Sequence, residues 1–193
     1  MRAETLEREL VRRGALLDGH FRLSSGRHSE RFVQKFRALE EPELVEQIAG
    51  TLALAMRALE PTVVVSAAVG GIVLGYEVAR QFGTKAIFVE KVAGEPVLRR
   101  GFALGPGDRA LVVEDVVTTG QSVREVLQVI RAAGAETAGV GIVVRREPVE
   151  FDVATTVLLE LPVVSYDPAN CPLCAAAVPL EDPGSRRLAG ARP

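Results

Sequence analysis

The chain alternates between short runs of β-branched residues and longer stretches with helical periodicity, and this alternation constrains its fold more than any other feature. The short runs are apolar at consecutive positions, which is typical of strands that are buried on both faces. Such strands need helices on both sides of the sheet, and right-handed crossovers supply them. We therefore predict a doubly wound α/β fold with a parallel sheet, with strands at 63–65, 86–89, 110–113 and 138–144 and helices at 72–82 and 122–133.

The segments on either side of this core are less regular. The polar stretch 20–35 predicts an irregular loop or short strand with too little apolar surface to join the core. Pro42 opens a helix that continues to residue 59, 155–161 is a candidate for the last strand, and the tail from Pro162 onward has no strong pattern. Leucines at roughly helical spacing in a charged segment predict a short amphipathic N-terminal helix, and they are Leu6, Leu10, Leu16 and Leu17.

The balance of charge argues against two classes of partner. Lys and Arg number 23 against 25 Asp and Glu, so a net charge of -2 gives no overall attraction to nucleic acid or to an anionic membrane. No apolar run approaches the roughly 20 residues of a membrane span, and the N-terminus lacks a signal-peptide core. Two cysteines are too few for a disulfide framework and fit a reducing compartment. We expect a single-domain cytoplasmic protein that binds neither nucleic acid nor membrane.

The segment 111–122 is the strongest candidate for a functional site. An apolar strand runs into two acids, Glu114 and Asp115, and then into a Thr-Thr-Gly turn that opens a helix. Amides at a helix N-terminus bind phosphate, and carboxylates accept hydrogen bonds from ribose hydroxyls or stabilise positive charge. The alternative is that the acids are solvated and that Thr118 or Thr119 only caps the helix. The sequence has neither a P-loop motif nor a complete G-x-G-x-x-G motif.

Residues 114–122 resemble the 5-phosphoribosyl-1-pyrophosphate (PRPP) signature of type I phosphoribosyltransferases. Within that family the chain is most similar to the enzymes that act on orotate, the orotate phosphoribosyltransferases. Three further segments carry the resemblance: 21–29 is similar to their N-terminal hood, 67–72 to their pyrophosphate loop, and 171–174 to a C-terminal element of some bacterial members. The resemblance covers about 16–174, which is most of the chain.

The resemblance implies roles for residues of the phosphate site. Glu114 and Asp115 would hold the ribose hydroxyls and stabilise an oxocarbenium-like transition state. Gly70 and Gly71 would let the backbone approach the pyrophosphate, and Mg²⁺ would be carried mainly by PRPP oxygens, so no protein ligand for it is assigned. The other PRPP-binding residues of the signature, which cradle the 5-phosphate, are Val117, Thr118, Thr119, Gly120, Gln121 and Ser122.

The same resemblance implies a core of about 42–144 under a small hood formed by about 16–38 and 145–180. The hood would select the base, with Phe32 against the pyrimidine and Arg146 near the ring. The alternative is that Phe32 is a plain core residue and that the arginines are solvated. The implied substrate-binding residues are Ser25, Gly26, Arg27, Phe32, Thr118 and Arg146.

Three departures from the family pattern concern cations. Ser24 and Gly70 stand where many members have a lysine, and the mobile catalytic loop is reduced to 90–101. This segment has the composition of a closing lid, which in the family reaches into the neighbouring subunit's site. The resemblance therefore implies a homodimer with shared active sites. The residues available to replace the missing cations in catalysis are Lys91, Arg99 and Arg100.

The pair Cys171 and Cys174 has no obvious place in this chemistry. A C-x-x-C pair supplies two of the four ligands that a structural zinc site needs, and His20 and His28 lie far away in sequence. A redox role requires a thioredoxin-like context that the tail does not provide. We interpret the cysteines as buried structural thiols, with a zinc ion shared across subunits as the alternative.

These features together predict a magnesium-dependent enzyme that makes orotidine 5-phosphate and pyrophosphate from orotate and PRPP in pyrimidine biosynthesis. A purine phosphoribosyltransferase is the nearest enzymatic alternative. A non-catalytic regulator that senses PRPP and binds nucleic acid is an alternative of another class. The charge balance and the lack of a separate helix-turn-helix segment argue against the regulator.

Overall fold

The computed structural model describes residues 1–23 and 25–183. A six-stranded sheet has the order β5-β4-β3-β6-β7-β8, in which β5 is antiparallel to β4 and all other neighbours are parallel. Its strands are β3 (Val63–Ala67), β4 (Lys85–Val92), β5 (Glu95–Leu98), β6 (Arg109–Val117), β7 (Glu136–Arg145) and β8 (Thr155–Glu160). The four predicted strands and the candidate last strand are confirmed.

Helices cover both faces of this sheet, so the doubly wound prediction is confirmed. Val64 of β3 faces one apolar cluster, whereas Val63 and Val65 face the other, as the alternation of side chains along a strand requires. The first cluster packs under α1, α3 and α4, and the second packs under α5. These helices are α1 (Ala3–Arg12), α3 (Pro42–Ala55), α4 (Gly70–Phe82) and α5 (Gln121–Ala132), and a short α2 (Phe36–Leu39) precedes α3.

The N-terminal prediction was right for the helix and wrong for its extent. Helix α1 ends at Arg12, and Gly14 follows with a φ of +65°. Leu16 and Leu17 belong to β1 (Leu16–Arg22), because they pair with β2 (His28–Val33). The stretch that we expected to stay out of the core thus supplies most of a hairpin, and its Val33 packs against the first cluster.

Two other helix boundaries differ from the prediction. The predicted helix to residue 59 is interrupted after Ala55, and Arg57–Leu59 forms a separate 3-10 turn. Helix α4 begins at Gly70, two residues before the predicted start, because a glycine pair carries its first turn close to β3: a Cβ at Gly71 would lie 3.0 Å from that of Ser66.

A second, three-stranded sheet of order β1-β2-β9 lies outside the main sheet. Its third strand, β9 (Ser165–Tyr166), and the short helix α6 (Pro172–Ala175) come from the tail in which we found no pattern. We call this sheet, together with the following residues up to 183, the hood. Over the described parts of the chain, no helix combines the length and the apolar character that crossing a membrane requires.

Candidate active site

The phosphate loop connects β6 to α5 at the carboxyl edge of the main sheet. Gly120 precedes the first helical residue with a φ of +76°, and a Cβ at this position would lie 2.6 Å from Val149 Cγ1 and 3.0 Å from the Phe151 ring. A glycine is therefore required by both its conformation and its neighbours. Among the described residues no side chain caps α5, so its first-turn amides remain available to a ligand.

An open cleft of about 580 Å³ lies against this loop. Its walls come from the ends of β3, β4 and β6 and from the first turn of α5, which is where ligands bind in open α/β sheets. The predicted phosphate-binding residues that line it are Thr118, Thr119, Gly120, Gln121 and Ser122. The pyrophosphate-loop segment lines it through Ala67, Ala68 and Val69, whereas the predicted Gly70 and Gly71 are buried behind them.

The two acids are buried, and a lysine that the sequence analysis missed neutralises one of them. Lys35 Nζ lies 3.1 Å from Asp115 Oδ1 and 3.0 Å from Oδ2, and the Val116 amide donates to Oδ1 at 2.6 Å. Neither acid lines the large cleft, and Asp115 and Lys35 instead line a small neighbouring cavity. A Cβ at Gly70 would lie 2.3 Å from Asp115 Oδ2 and 2.5 Å from Lys35 Nζ. Gly70 therefore makes room for a cation delivered from another segment.

Glu114 has a different electrostatic environment from its neighbour. Burial, followed by repulsion from Asp115, raises the pKa of Glu114 to about 8, although Lys35 and the Ser122 hydroxyl act in the opposite direction. Its Oε2 atom is buried and has no partner among the described residues. At neutral pH Glu114 is therefore largely protonated, and its carboxyl group lies beside the ion pair of Asp115 with Lys35.

The predicted lid is mostly a hairpin. Strands β4 and β5 pair across a turn in which Ala93 and Gly94 both have positive φ. Lys91 lines the cleft and forms an ion pair with Glu125 at 2.7 Å. Beside it, Arg100 contacts Glu90 at 3.1 Å and Arg99 contacts the same carboxylate at 4.0 Å. Of the three predicted cations, Lys91 lines the cleft, and Arg99 and Arg100 lie beside Glu90, which also lines it. We call these three residues the rim cations; each lies beside an acid of its own chain.

The predicted base-binding residues divide into two groups. Ser25, Gly26 and Arg27 are exposed at the tip of the hairpin, where the Arg27 guanidinium donates to Ser165 O at 2.5 Å and to Ser165 Oγ at 2.8 Å. Phe32 packs at 5.7 Å from the Phe21 ring. Arg27 therefore ties the hood together and is not freely solvated, and Ser24 lies outside the described residues.

Arg146, which was predicted to contact the base, directly follows the last residue of β7. Its amide donates to Val117 O at 2.8 Å, which fixes it beside the phosphate loop. Burial lowers the pKa of its guanidinium, and Nε is buried with no partner in the described parts of the chain. A buried donor without an acceptor is costly, so this position favours an anionic or carbonyl ligand.

The cysteines depart from their prediction. Cys171 is buried as expected, but Cys174 is exposed. Both lie next to His20 and His28, which we had set aside because of their distance in sequence. Contacts across 151 and 146 positions bring these side chains together, and sequence periodicity carries no signal for such contacts.

Comparisons with known proteins agree with this geometry. The family described as "Phosphoribosyl transferase domain" matches residues 37–158. The chain is 49% identical over 175 residues to orotate phosphoribosyltransferase of Chlorobaculum parvum, which covers 90% of this chain and 91% of that one. It is 45% identical over 181 residues to the orotate phosphoribosyltransferase of Thermotoga petrophila, covering 93% and 97% of the two chains.

Solved structures show the same fold. The orotate phosphoribosyltransferase from Aeropyrum pernix superposes with a TM-score of 0.69 at 25% identity, covering 81% of this chain and 93% of that one. An adenine phosphoribosyltransferase from Rhodothermus marinus reaches a TM-score of 0.64 at 22% identity, with 82% and 99% coverage. The fold is therefore shared by enzymes named for different bases. The high sequence identity to orotate phosphoribosyltransferases is what distinguishes between these enzymes for this chain.

Proposed function

The chain belongs to the phosphoribosyltransferase family and, within it, to the orotate phosphoribosyltransferases, and from this premise we propose that it makes orotidine 5-phosphate and pyrophosphate from orotate and PRPP in pyrimidine biosynthesis. The observation that carries the proposal is the cleft at the N-terminus of α5. There, uncapped amides, the hydroxyls of Thr118, Thr119 and Ser122, and a glycine form one concave wall. Such a wall fits the 5-phosphate dianion of PRPP.

The buried acids fit the reacting ribose. The ion pair between Lys35 and Asp115 occupies the carboxylate, and we infer that PRPP exchanges the lysine for ribose hydroxyls. Lys35 then becomes a free cation next to Gly70, where many family members carry a lysine. The carboxylate of Asp115 stabilises positive charge at the anomeric carbon as the bond to pyrophosphate breaks, and the orotate ring nitrogen attacks the same carbon.

Magnesium fits the chemistry of this site. The carboxylate oxygens of Asp115 are hard donors of the kind that Mg²⁺ prefers, and the buried Glu114 Oε2, which has no partner among the described residues, would become one once Glu114 is ionised. When bound, Mg²⁺ carried mainly by PRPP oxygens neutralises the leaving pyrophosphate. The chain's own contribution to that charge is Lys35 together with the rim cations, which must leave Glu90 and Glu125 to contact the ligand.

Recognition of orotate rests on Arg146 and the hood. Orotate carries a carboxylate that purine bases lack, and the buried Nε of Arg146, which has no partner among the described residues, is suited to donate a hydrogen bond to such a group. The hairpin tip 25–27 is exposed, and we place it at the polar edge of the ring, while Phe32 packs on Phe21 within the hood. This arrangement supports orotate over the purine alternative.

The test is a panel of bases. The protein is incubated with PRPP, Mg²⁺ and orotate, uracil, hypoxanthine, xanthine or adenine, and nucleotide and pyrophosphate are measured for each. We expect orotate to be used at least tenfold faster than any other base. Faster turnover of a purine contradicts orotate specificity, and PRPP binding without turnover of any base favours the non-catalytic regulator.

We also propose that the protein is a homodimer with shared active sites. Val69, Val73 and Tyr76 form an exposed apolar stripe along the start of α4, and Val69 also lines the cleft. A second copy of the chain seated on this stripe would bring its own lid close to the cleft. Burial of the apolar side chains of the stripe would stabilise the contact between the two copies.

Complementation tests the shared site. Asp115→Asn and the double variant Arg99→Ala/Arg100→Ala should each be inactive or nearly so when expressed alone. If the lid acts in the partner's site, mixed dimers contain one site with an intact Asp115 and an intact lid, so co-expression restores activity. If the lid acts within its own chain, every site keeps one lesion and co-expression restores nothing.

A further inference from the structure

The two histidines and the two cysteines of this chain are the only ones in its sequence, and all four meet at one point in the hood. His20 lies on β1 and His28 lies on β2. Cys171 directly precedes α6, and Cys174 is the third residue of that helix. The four potential ligand atoms lie within 4.8 Å of one another. None of these residues has a role in the proposed transfer reaction.

Four of the six distances between these atoms are close to the edges of a metal coordination tetrahedron. His20 Nε2 lies 3.0 Å from His28 Nδ1, 3.5 Å from Cys171 Sγ and 3.8 Å from Cys174 Sγ, and Cys174 Sγ lies 3.3 Å from His28 Nδ1. Zinc bond lengths of about 2.05 Å to nitrogen and about 2.3 Å to sulfur predict edges of about 3.3 Å between nitrogens and about 3.6 Å between nitrogen and sulfur.

The backbone is shaped to deliver these ligands. The pairing of β1 with β2 is irregular between Asp18 and Phe21, and as a result the adjacent residues His20 and Phe21 are both buried. An irregularity of this kind turns one side chain away from its regular face. His28 is buried on β2, where it pairs with Tyr166 of β9. One turn of α6 then separates the two sulfurs.

A hydrogen bond outside the cluster sets the tautomer of His20. Its Nδ1 lies 2.8 Å from the carbonyl oxygen of Val178, and a carbonyl only accepts, so Nδ1 carries the proton. The lone pair is therefore on Nε2, the atom that faces the other three ligands. Metal-binding histidines commonly donate their second nitrogen to a backbone carbonyl in this way.

We propose that His20, His28, Cys171 and Cys174 bind one structural zinc ion within each chain. Two sulfurs and two nitrogens favour Zn²⁺ over the hard Mg²⁺ that accompanies PRPP. With four protein ligands the site has no open position, so the ion is structural and does not take part in the transfer reaction. It joins the segment 171–178 to the hairpin whose tip, 25–27, lies between the two histidine ligands.

The first measurement is the metal content of the whole chain. The protein is produced without a histidine tag in zinc-containing medium, purified under reducing conditions without chelator, and analysed by mass spectrometry for metals. We expect about one zinc per chain. A protein that lacks zinc as purified, and that retains none after incubation with zinc sulfate and dialysis, overturns the proposal.

The matched variants are Cys174→Ser and Ala176→Ser. Both place a serine at an exposed position of the same turn, but only the first removes a ligand. In competition with a chromophoric chelator, Cys174→Ser should bind zinc at least tenfold more weakly, and Ala176→Ser should match the parent. Equal affinity in all three proteins contradicts the assignment, and circular dichroism checks that each is folded.

Cobalt distinguishes thiolate ligation from a hydrogen-bonded or oxidised cluster. The zinc-free parent, titrated with Co²⁺, should develop a thiolate-to-cobalt charge-transfer band of tetrahedral type that is weakened in Cys174→Ser and kept in Ala176→Ser. The absence of this band from the reduced parent counts against the site. So does an intact mass two hydrogens lighter in the protein freshly isolated under non-reducing conditions, because it indicates a disulfide between Cys171 and Cys174.

Discussion

The phosphate loop and the histidine-cysteine cluster of the hood are both compact groups of polar side chains, but they are assembled in opposite ways. The phosphate loop is one continuous segment between β6 and α5. The cluster combines three segments, and its contacts span up to 154 positions. A continuous loop takes its shape from the two elements that it connects, whereas a cluster of distant segments needs ties of its own.

The supports of the two regions differ accordingly. Strand β6 lies between β3 and β7, and Leu111, Val112 and Val113 are fully buried. The third strand of the hood has two residues, and its attachment depends on side chains such as Arg27 and Ser29, which bond the backbone at 164–165. We infer that the core holds the phosphate site rigidly and that the hood opens at lower free energy.

The largest effect concerns the charge buried in the core. The folded state holds Glu114 neutral up to a pKa of about 8, whereas the unfolded chain ionises it above about 4.5. This contribution to stability is therefore complete below pH 4.5 and is lost as the pH rises through 8. A shift of this size corresponds to at most about 5 kcal/mol in the free energy of unfolding.

Urea unfolding at a series of pH values checks this prediction. The parent should lose stability from pH 5 to pH 8, and the isosteric Glu114→Gln should lack that loss. The pKa of His28 is lowered in the folded protein, so its contribution to stability is instead lost as the pH falls below the usual histidine value of 6.5. This contribution is the same in both proteins and cancels in their difference. If the free energy of unfolding changes with pH in the same way in both proteins, groups other than Glu114 cause the pH dependence and the prediction is wrong.

The next effect separates the charge of Asp115 from its ion pair. Asp115→Asn removes the carboxylate that we propose faces the reacting ribose, so kcat should fall by roughly 100- to 1000-fold, or about 2.7–4 kcal/mol, with a smaller change in KM. Lys35→Met breaks the same ion pair but keeps the carboxylate, and it should mainly raise KM for PRPP. Steady-state kinetics that show an unchanged kcat in Asp115→Asn would reduce this residue to a ligand of the ribose.

A smaller effect is expected in the phosphate loop. Thr119→Val removes a hydroxyl that lines the cleft, and a hydrogen bond to a charged group contributes about 1.5–3 kcal/mol, so KM for PRPP should rise roughly ten- to hundredfold. KM for orotate should stay within twofold. Thr155→Val, on the exposed edge strand β8, is the control. A rise in both KM values would mean that the two regions do not act separately.

The contrast between the regions also explains what the sequence could predict. The geometry of the segment 111–122 can be predicted from neighbouring residues alone, because its apolar strand, two acids and helix-start glycine follow one another in the sequence. The strands and helices of the core were predictable for the same reason. Gly120 was predictable as a close-approach residue, although the neighbours that require it, Val149 and Phe151, come from another segment.

Lys35 and the histidine-cysteine cluster were not predictable, since their partners are distant along the chain. The glycine at position 70 showed that a cation was missing, but the sequence did not show that Lys35, 80 positions before Asp115, supplies one. Pairing of C-x-x-C with His20 and His28 required the hairpin and the irregularity in β1. Leu16 was misassigned because helical spacing of leucines continues past the glycine that ends the helix.

The smallest effect tests whether the hood acts on the base alone. The hairpin tip 25–27 lies between His20 and His28 along the chain, so loosening one of the proposed zinc ligands should displace the tip that we propose meets orotate while the phosphate loop stays in place. Cys174→Ser should therefore raise KM for orotate about three- to tenfold, with KM for PRPP and kcat within about twofold. Ala176→Ser should leave all three constants unchanged. If KM for PRPP rises together with KM for orotate, the hood supports the core as well, and the division between a rigid phosphate site and a separately tied base site is wrong. If neither KM changes, the cluster stabilises the tail without positioning the base.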